Sequence, residues 1–201
     1  MRRRLKKPDP WLPLRTQRLI LRDFRESDLA DIHEYASDRK VTRFMDWGPN
    51  TEKVSREYLE LQLAEQQVWP RAAVNMAAEV AAEGKLIGSV RFAVVDADNL
   101  TGDFGYSFNR AYWNQGYATE AASALVAHAF AALGLRRIYA TCDTRNVGSW
   151  SVMEKLGMRR EATFRQDVKA RHGWRDSYLY AILADEWRRA GRANAGGAGS
   201  A

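Results

Sequence analysis

The chain is 201 residues long, a length typical of one domain. Hydrophobic residues make up 46% of the sequence and charged residues 28%, a balance that predicts a globular protein with a packed core and a charged surface. The formal net charge of +6 would suit several acidic partners, nucleic acid included, and does not choose among them. The single cysteine, Cys142, excludes an intramolecular disulfide, and no Cys/His cluster has metal-ligand spacing, so the sequence predicts no metal site.

The two ends of the chain differ from its middle. Residues 1–13 contain five basic residues and three prolines and are expected to form a basic, flexible arm. Residues 188–201 are basic and then rich in glycine and alanine, which predicts a flexible tail after a single domain at 14–187. The basic start is not followed by an apolar run, and no stretch approaches the roughly 20 apolar residues of a membrane span. We therefore expect a cytoplasmic protein without a membrane segment.

The opening of the domain predicts a strand followed by two helices. Residues 18–24 alternate polar and apolar side chains, as a half-buried strand does. Ser27 then predicts the N-cap of the first helix. After a Gly-Pro break, Thr51 predicts the N-cap of the second helix, in which Val54, Tyr58, Leu61 and Ala64 or Glu65 follow the three-and-four spacing of an apolar face.

The middle and end of the domain predict a mixed sheet. Strand-like runs at 76–80, 86–95 and 103–108 are divided by short turns and indicate an antiparallel meander. From there strands and helices alternate: helix 119–133, strand 137–142, helix 147–156, and strands near 158–166 and 174–183.

The run from Trp113 to Ala122, W-N-Q-G-Y-A-T-E-A-A, lies between a predicted strand and a predicted helix. Gly116 permits a tight turn, Ala118 permits close approach, and the amides that start the helix can point at an anion such as a pyrophosphate. The alternative is that Gly116 only turns the chain and Thr119 only caps the helix. The chain contains neither G-x-G-x-x-G nor G-x-x-x-x-G-K-[ST], which argues against a dinucleotide-binding dehydrogenase and a P-loop phosphotransferase.

Residues 146–158 read N-V-G-S-W-S-V-M-E-K-L-G-M. Together with the preceding loop they resemble the two acyl-CoA motifs of the GCN5-related N-acetyltransferase (GNAT) superfamily, [Q/R]-x-x-G-x-[G/A] and N-x-x-[A/S]…E-K-x-G-[F/M]. Residues 146–158 and the segments at 18–24, 47–49, 112–113, 116–121, 175–177 and 180 are similar to the ribosomal-protein N-terminal acetyltransferase branch. The resemblance covers roughly residues 14–187.

This resemblance implies a fold and a reaction. The fold is α/β, a mixed sheet of about seven mostly antiparallel strands, with a central parallel pair that splays apart to admit the coenzyme. The reaction is direct attack of an amine on acetyl-CoA in a ternary complex, with acetyl-CoA as co-substrate and no metal. The branch implies a protein N-terminal α-amine as acceptor, as on a ribosomal protein. The protein would then contact nucleic acid only through the ribosome. The sequence does not decide whether it forms a homodimer.

Other functions remain open on the sequence. An acetyltransferase of a small amine or an antibiotic would carry the same motifs. A non-catalytic acyl-CoA binding protein is a further alternative, because Met153 stands where many GNAT members have a tyrosine that protonates the departing thiolate, and a thioether cannot donate a proton. A nucleic-acid binding protein that uses the basic arm is the third.

The resemblance also assigns residues. Glu161 is implied as the general base and Ser149 as the hydroxyl that serves the coenzyme thiolate. The coenzyme-binding set is Phe108, Gln115, Gly116, Tyr117, Ala118, Thr119, Asn146, Ser149 and Lys155. Each of these has a plainer alternative, for example an exposed, salt-bridged carboxylate for Glu161, a first-turn helix serine for Ser149 and a helix N-cap for Asn146. The aromatic residues expected beside the acceptor are Phe44, Trp47, Trp69 and Trp174.

Overall fold

The computed structural model describes residues 13–68, 71, 73–171 and 173–196. Within them it contains eight strands: β1 Leu14–Arg15, β2 Leu19–Arg22, β3 Ala73–Val80, β4 Lys85–Asp96, β5 Thr101–Phe108, β6 Arg137–Asp143, β7 Arg159–Ala170 and β8 Gly173–Leu183. It also contains five α-helices: α1 Leu29–Ala36, α2 Glu52–Glu65, α3 Tyr117–Leu133, α4 Val147–Lys155 and α5 Ala184–Gly196. Short 3-10 turns lie at Glu26–Asp28, Thr42–Phe44 and Arg110–Tyr112.

All the strands form one sheet, in the order β1-β2-β3-β4-β5-β6-β8-β7. Neighbouring strands are antiparallel except for β5 and β6, which run parallel. The expected mixed sheet, with its antiparallel meander and single parallel pair, is therefore confirmed. The structure has eight strands where about seven were expected, and one of the eight is the two-residue edge strand Leu14–Arg15.

The parallel pair opens along its length. The backbones of β5 and β6 pair only where Thr101–Asp103 lie beside Arg137–Tyr139. Beyond this point β5 continues along β4 to Phe108, and β6 continues along β8 to Asp143. The two strands therefore diverge and leave a gap in the middle of the sheet, as the family resemblance implies.

The sheet has a hydrophobic core on each face. On β3, Met76 and Ala78 belong to the larger core, which includes Leu125 of α3, whereas Ala77 belongs to a second core with Ile32 and Leu59 of α1 and α2. Successive side chains of a strand point to opposite faces, so α3 lies on one face of the sheet and α1 and α2 lie on the other. The gap between β5 and β6 connects these two faces.

The buried face of α2 differs from the prediction. Thr51 is the N-cap as expected, and its side chain accepts a hydrogen bond of 3.4 Å from the amide of Val54. The residues buried on α2 are Ser55, Leu59 and Gln62, whereas Val54 is 43% and Leu61 53% exposed. Of the predicted residues, Tyr58 does pack against the second core. The spacing was wrong for Val54 and Leu61 because polar residues also pack inward, as Ser55 does with its hydroxyl 3.1 Å from the ring of His33 on α1.

The start of α1 also differs from the prediction, because Asp28 and not Ser27 precedes it. The chain first makes a 3-10 turn, and the carboxylate of Asp28 is held by two 2.8 Å hydrogen bonds from Arg22 on β2. Arg22 also donates to Glu79 on β3 at 2.6 Å. This buried ion network joins β2, the turn that precedes α1, and β3.

The ends of the chain remain sequence predictions for the most part. Residues 1–12 of the basic arm, and 197–201 of the tail, lie outside the described residues. Helix α5 extends to Gly196, so 188–196 of the segment expected to be a flexible tail are helical. Among the described residues, no helix is long and apolar enough to cross a membrane.

Candidate active site

The first part of the site is the amino-terminal end of α3. Gly116 is the N-cap and has a left-handed backbone, with φ of 84°. The first intrahelical hydrogen bond runs from the amide of Glu120 to the carbonyl oxygen of Gly116, at 3.0 Å. The amides of Tyr117, Ala118 and Thr119 precede this bond, and no side chain caps the helix, so these three amides can donate to an anion.

Arg18 holds this loop in place. Its Nη1 donates to the backbone carbonyl of Gln115 at 2.9 Å, its Nε donates to Glu120 at 2.7 Å, and its guanidinium lies 4.1 Å from the ring centre of Tyr117. The side chain of Gln115 turns back to the carbonyl oxygen of Ala111, at 2.9 Å. Gln115 therefore takes part in the loop structure through both its backbone and its side chain.

The second part of the site is a cavity of about 540 Å³ that lies between the α1–α2 side of the sheet and the gap between β5 and β6. A volume of this size is typical of small-molecule sites. Most of the large side chains in its wall are aromatic: Tyr35, Phe44, Trp47, Tyr58, Phe104 and Tyr106. The wall also contains Ser149, Asn146 and Met153 of the second motif.

The hydroxyl groups of Ser149 and Tyr106 meet in this cavity. Tyr106 extends from β5 and donates a 2.8 Å hydrogen bond to the carbonyl oxygen of Ser149, and its hydroxyl oxygen is 3.3 Å from that of Ser149. Asn146 caps α4 by accepting a 3.2 Å hydrogen bond from the amide of Ser149. The start of α4 thus brings a serine hydroxyl to the opening between the two diverging strands.

Burial sets the protonation of two groups beside this serine. It raises the pKa of the Tyr106 phenol above its ordinary value, although the hydrogen bond to Ser149 acts in the opposite direction. It also raises the pKa of the Cys142 thiol to about 11, again against a hydrogen bond with Ser149. Both groups are therefore protonated near neutral pH, and Cys142 is not poised to act as a nucleophile.

Two carboxylates line the cavity. Asp143, at the end of β6, is only 2% exposed, and its oxygens accept hydrogen bonds of 2.9 and 2.6 Å from the side chain of Arg145. These bonds lower the pKa of Asp143, against the effect of burial. Asp46 follows the 3-10 turn Thr42–Phe44 and is exposed, and no described residue forms a hydrogen bond or ion pair with its carboxylate.

Glu161, implied as the general base, does not lie in the cavity. Its carboxylate accepts hydrogen bonds of 2.9 and 2.5 Å from Arg137, which lower its pKa. Arg137 is the first residue of β6, whereas the cavity is lined by Thr141 to Asp143 near the other end of that strand. A strand rises about 3.3 Å per residue, which separates the backbone of Arg137 from that of Thr141 by about 13 Å. In this structure Glu161 is an exposed, salt-bridged strand carboxylate outside the cavity, and its role as general base stays a prediction from the family resemblance.

Three further residues that were predicted to bind the coenzyme or the acceptor do not line the cavity. Lys155 is exposed in the last turn of α4. Phe108 is buried in the larger core, and its backbone carbonyl accepts a 2.8 Å hydrogen bond from the indole of Trp113. Trp174 is 61% exposed and borders a small pocket beside Phe44. Phe44 and Trp47 line the cavity as expected, and Trp69 is outside the described residues.

The sequence reasoning missed Tyr106, Arg18 and Asp46 as site residues. Tyr106 lies on a strand that the motif comparison did single out, but an alternating pattern does not tell which side chains reach a gap in a sheet. Arg18 is separated from Gln115 by 97 positions in the chain. Only the tertiary fold brings such residues together, and no local signal marks them.

The fold and the site together define an acyltransferase of the acyl-CoA-dependent class. They combine a mixed sheet whose parallel pair opens, a helix that starts with free amides, and a serine hydroxyl at the opening. A family model described as an acetyltransferase (GNAT) domain matches residues 18–159. The chain therefore belongs to the GNAT family and is an N-acetyltransferase.

Individual relatives agree with this membership. The uncharacterized N-acetyltransferase YnaD of Bacillus subtilis is 35% identical over 172 residues, which is 86% of this chain and 97% of YnaD. The crystal structure of a GNAT-family acetyltransferase from Bacillus anthracis is 34% identical, with a TM-score of 0.76 over 86% of this chain and 98% of that one. The ribosomal-protein-serine acetyltransferase of Escherichia coli is 29% identical over 103 residues, 51% of this chain and 58% of that protein.

Proposed function

We propose that this protein transfers the acetyl group of acetyl-CoA to a primary amine that enters the aromatic cavity. The observation that carries the proposal is the position of Ser149, whose hydroxyl faces the cavity at the opening between β5 and β6 and is backed by Tyr106. A coenzyme threaded through this gap would reach the cavity with its thioester end.

The coenzyme would be held by the chain's own polar groups. The amides of Tyr117, Ala118 and Thr119 suit the pyrophosphate, because three donors and the positive end of the helix dipole act on the same point. Gly116 and Gln115 contribute the shape of the loop. The gap between β5 and β6 suits the pantetheine arm, because the facing backbone edges of the two strands are not paired with each other there.

The chemistry follows from this placement. The amine nitrogen forms a bond to the thioester carbonyl carbon, the carbon–sulfur bond breaks, and the electron pair leaves on the coenzyme sulfur. The nitrogen then gives up its extra proton to become the neutral amide, and the thiolate, which accepts a hydrogen bond from Ser149, takes up one proton and leaves as the free thiol. Met153 occupies the position of the family tyrosine and cannot donate. Tyr106 is therefore proposed as a positioning residue, whose hydrogen bond to the backbone carbonyl of Ser149 fixes the first turn of α4 and leaves the Ser149 hydroxyl free to donate to the thiolate.

The amine must lose a proton to attack, since an α-amino group with a pKa near 8 is mostly protonated at neutral pH. We assign this step to Asp46, directly or through water, because it is the carboxylate of the cavity wall that no described cation holds. Asp143 is paired with Arg145 and has a lowered pKa, which makes it a weaker base.

The acceptor proposed from the ribosomal branch is a protein N-terminal α-amine. The partial similarity to the E. coli ribosomal-protein-serine acetyltransferase supports it. A small amine is the second candidate, favoured by a cavity whose volume of about 540 Å³ matches a compact ligand.

An acceptor panel tests the proposed function. Purified protein is mixed with acetyl-CoA and with peptides, amino acids, polyamines or arylalkylamines, and the release of free coenzyme thiol is measured together with the mass of the acceptor. Acetylation of at least one primary amine, at a rate above hydrolysis, is expected. Thiol release that no amine increases would contradict the proposal.

A further inference from the structure

Arg175 of β8 is a cation of the cavity wall that forms no salt bridge with a described residue; the carboxylate that its charge reaches, Asp143, is already bonded to Arg145. Its Nη1 donates to the backbone carbonyl of Phe44 at 3.0 Å. Its Nε is buried and has no hydrogen-bond partner. Within the described part of the chain, no carboxylate forms an ion pair with it. The other cation of the cavity wall, Arg91, differs because its guanidinium is 2.9 Å from the carboxylate of Asp103.

A guanidinium with unsatisfied donors in such a wall lowers the stability of the folded protein unless a ligand accepts its hydrogen bonds. Buried polar groups in folded proteins are nearly always hydrogen-bonded, and a buried donor without a partner destabilises the folded state. The Nε and Nη2 edge of a guanidinium matches the two oxygens of a carboxylate. In Arg175 this edge has no hydrogen-bond partner among the described residues. Because Nε is buried, a carboxylate would bind Nη2 first. It would bind Nε after a small rotation of the Arg175 side chain.

Arg175 lies close to the place proposed for the reaction. Ser177 of β8 pairs with Asp143 at the end of β6, so Arg175 is only two residues beyond that pair. The positive charge of Arg175 also acts on the Cys142 thiol, which is hydrogen-bonded to Ser149. An anionic group on Arg175 and an amine at the thioester would therefore belong to the same small molecule.

The remaining wall indicates the body of that molecule. Tyr35, Tyr58, Phe44 and Trp47 provide flat apolar surface, which favours an apolar or aromatic side chain over a polar one.

We propose that the acceptor is a free amino acid with an apolar or aromatic side chain, whose carboxylate is bound by Arg175. This proposal rests on the acetyltransferase function above and narrows its acceptor. It separates the two acceptor classes, because the first residue of a protein chain has a peptide group where a free amino acid has its carboxylate.

The test compares acids with their amides. The values of kcat/KM are measured for phenylalanine, tyrosine, leucine and methionine and for the corresponding amino acid amides, which differ in the carboxylate. The ratio of acid to amide is then compared among wild type, Arg175→Gln, Arg175→Lys and, as the matched control, Arg91→Gln. A comparison of ratios removes the effect of the different amine pKa values of acids and amides.

In wild type we expect the acids to be the better acceptors once their amines are matched for protonation. Loss of a charged hydrogen-bond pair worth about 1.5–3 kcal/mol predicts that the ratio falls by about 10-fold to 150-fold in Arg175→Gln. Arg175→Lys keeps the charge and should retain part of the preference, while Arg91→Gln should leave the ratio unchanged. Calorimetric binding of N-acetylphenylalanine in the presence of coenzyme A should weaken in Arg175→Gln, without any turnover.

The outcomes separate this inference from the general function. Equal ratios in wild type and both Arg175 variants would overturn the carboxylate site while the acetyltransferase function stands. Acetylation of peptide N-termini in preference to every free amino acid would also overturn it. A protein that neither binds acetyl-CoA nor acetylates any amine would remove both proposals.

Discussion

The phenol of Tyr106 donates a 2.8 Å hydrogen bond to the carbonyl oxygen of Ser149, and the two hydroxyl oxygens lie 3.3 Å apart. Tyr106 belongs to β5 and Ser149 to α4, which follows β6, so this contact bridges the two strands that diverge. It places two hydroxyl groups at the opening where the thioester is proposed to lie.

The first prediction concerns this pair of hydroxyls. Ser149→Ala should lower kcat by about 100-fold, the usual effect of removing a group that acts on developing charge. Tyr106→Phe should lower it by about 5-fold, because it removes a neutral hydrogen bond worth about 1 kcal/mol. Calorimetric affinity for acetyl-CoA should stay near the wild-type value in both variants.

Tyr180→Phe is the control for these variants. Tyr180 also bonds α4, with its hydroxyl 3.0 Å from the carboxylate of Glu154, but it does not line the cavity. Its loss should leave kcat unchanged. If Tyr180→Phe slows turnover as much as Tyr106→Phe, the hydroxyls support the helix and do not serve the reaction.

The second prediction compares two carboxylates. Asp46→Asn should lower kcat/KM at neutral pH by about 100-fold, the lower end of what a general base contributes, and the loss should shrink as rising pH deprotonates the free amine. Glu161→Gln should leave turnover within about 2-fold of wild type, because its carboxylate is exposed and bonded to Arg137. The pH profile of kcat/KM is the measurement, and a large loss in Glu161→Gln with none in Asp46→Asn would support the assignment made from the family resemblance.

The third prediction concerns stability. Arg22→Met removes the cation that Asp28 and Glu79 share, and all three side chains are less than 10% exposed. Breaking a buried pair by removing one partner costs about 3–5 kcal/mol, so the free energy of unfolding in urea should fall by that amount.

Arg56→Gln is the matched control, because Arg56 and Glu52 form an exposed pair on α2. Exposed pairs of this kind contribute about 0.3–0.5 kcal/mol, so the urea midpoint should hardly change. If the two substitutions lowered the free energy of unfolding equally, burial would not be the reason that the Arg22 network stabilises the protein.

The fold was largely predictable because its signals are local. Alternating runs marked the strands, Thr51 marked the start of α2, and Gly134 marked the end of α3 with its left-handed backbone. The two motifs that resemble the GNAT family led to the splayed parallel pair. The buried face of α2 was partly mispredicted because Ser55 and Gln62 pack inward, and periodicity of apolar residues cannot register a buried polar side chain.

The site was less predictable than the fold. Ser149 and Asn146 were predicted because they lie in one motif, and both line the cavity, while their roles remain proposals. Arg175 and Asp46 lie more than 125 positions apart in the chain and meet only across the folded cavity, so no spacing links them. Glu161 was chosen by alignment to a family position, and an alignment does not show that its carboxylate forms a salt bridge with Arg137.

The central claim is that the start of α3 holds the coenzyme, and one calorimetric comparison tests it most directly. Acetyl-CoA is titrated into wild type, Gly116→Glu and Gly134→Glu. Both glycines have a left-handed backbone and lie at opposite ends of α3, so both substitutions strain the backbone. A Cβ at Gly134 meets open space, whereas a Cβ at Gly116 lies 3.3 Å from Nη2 of Arg18, at the end of the helix that begins with the three free amides. We predict that wild type and Gly134→Glu bind acetyl-CoA and that Gly116→Glu, folded by circular dichroism, does not. Wild-type affinity in Gly116→Glu, or no binding by the wild-type protein, would contradict the account.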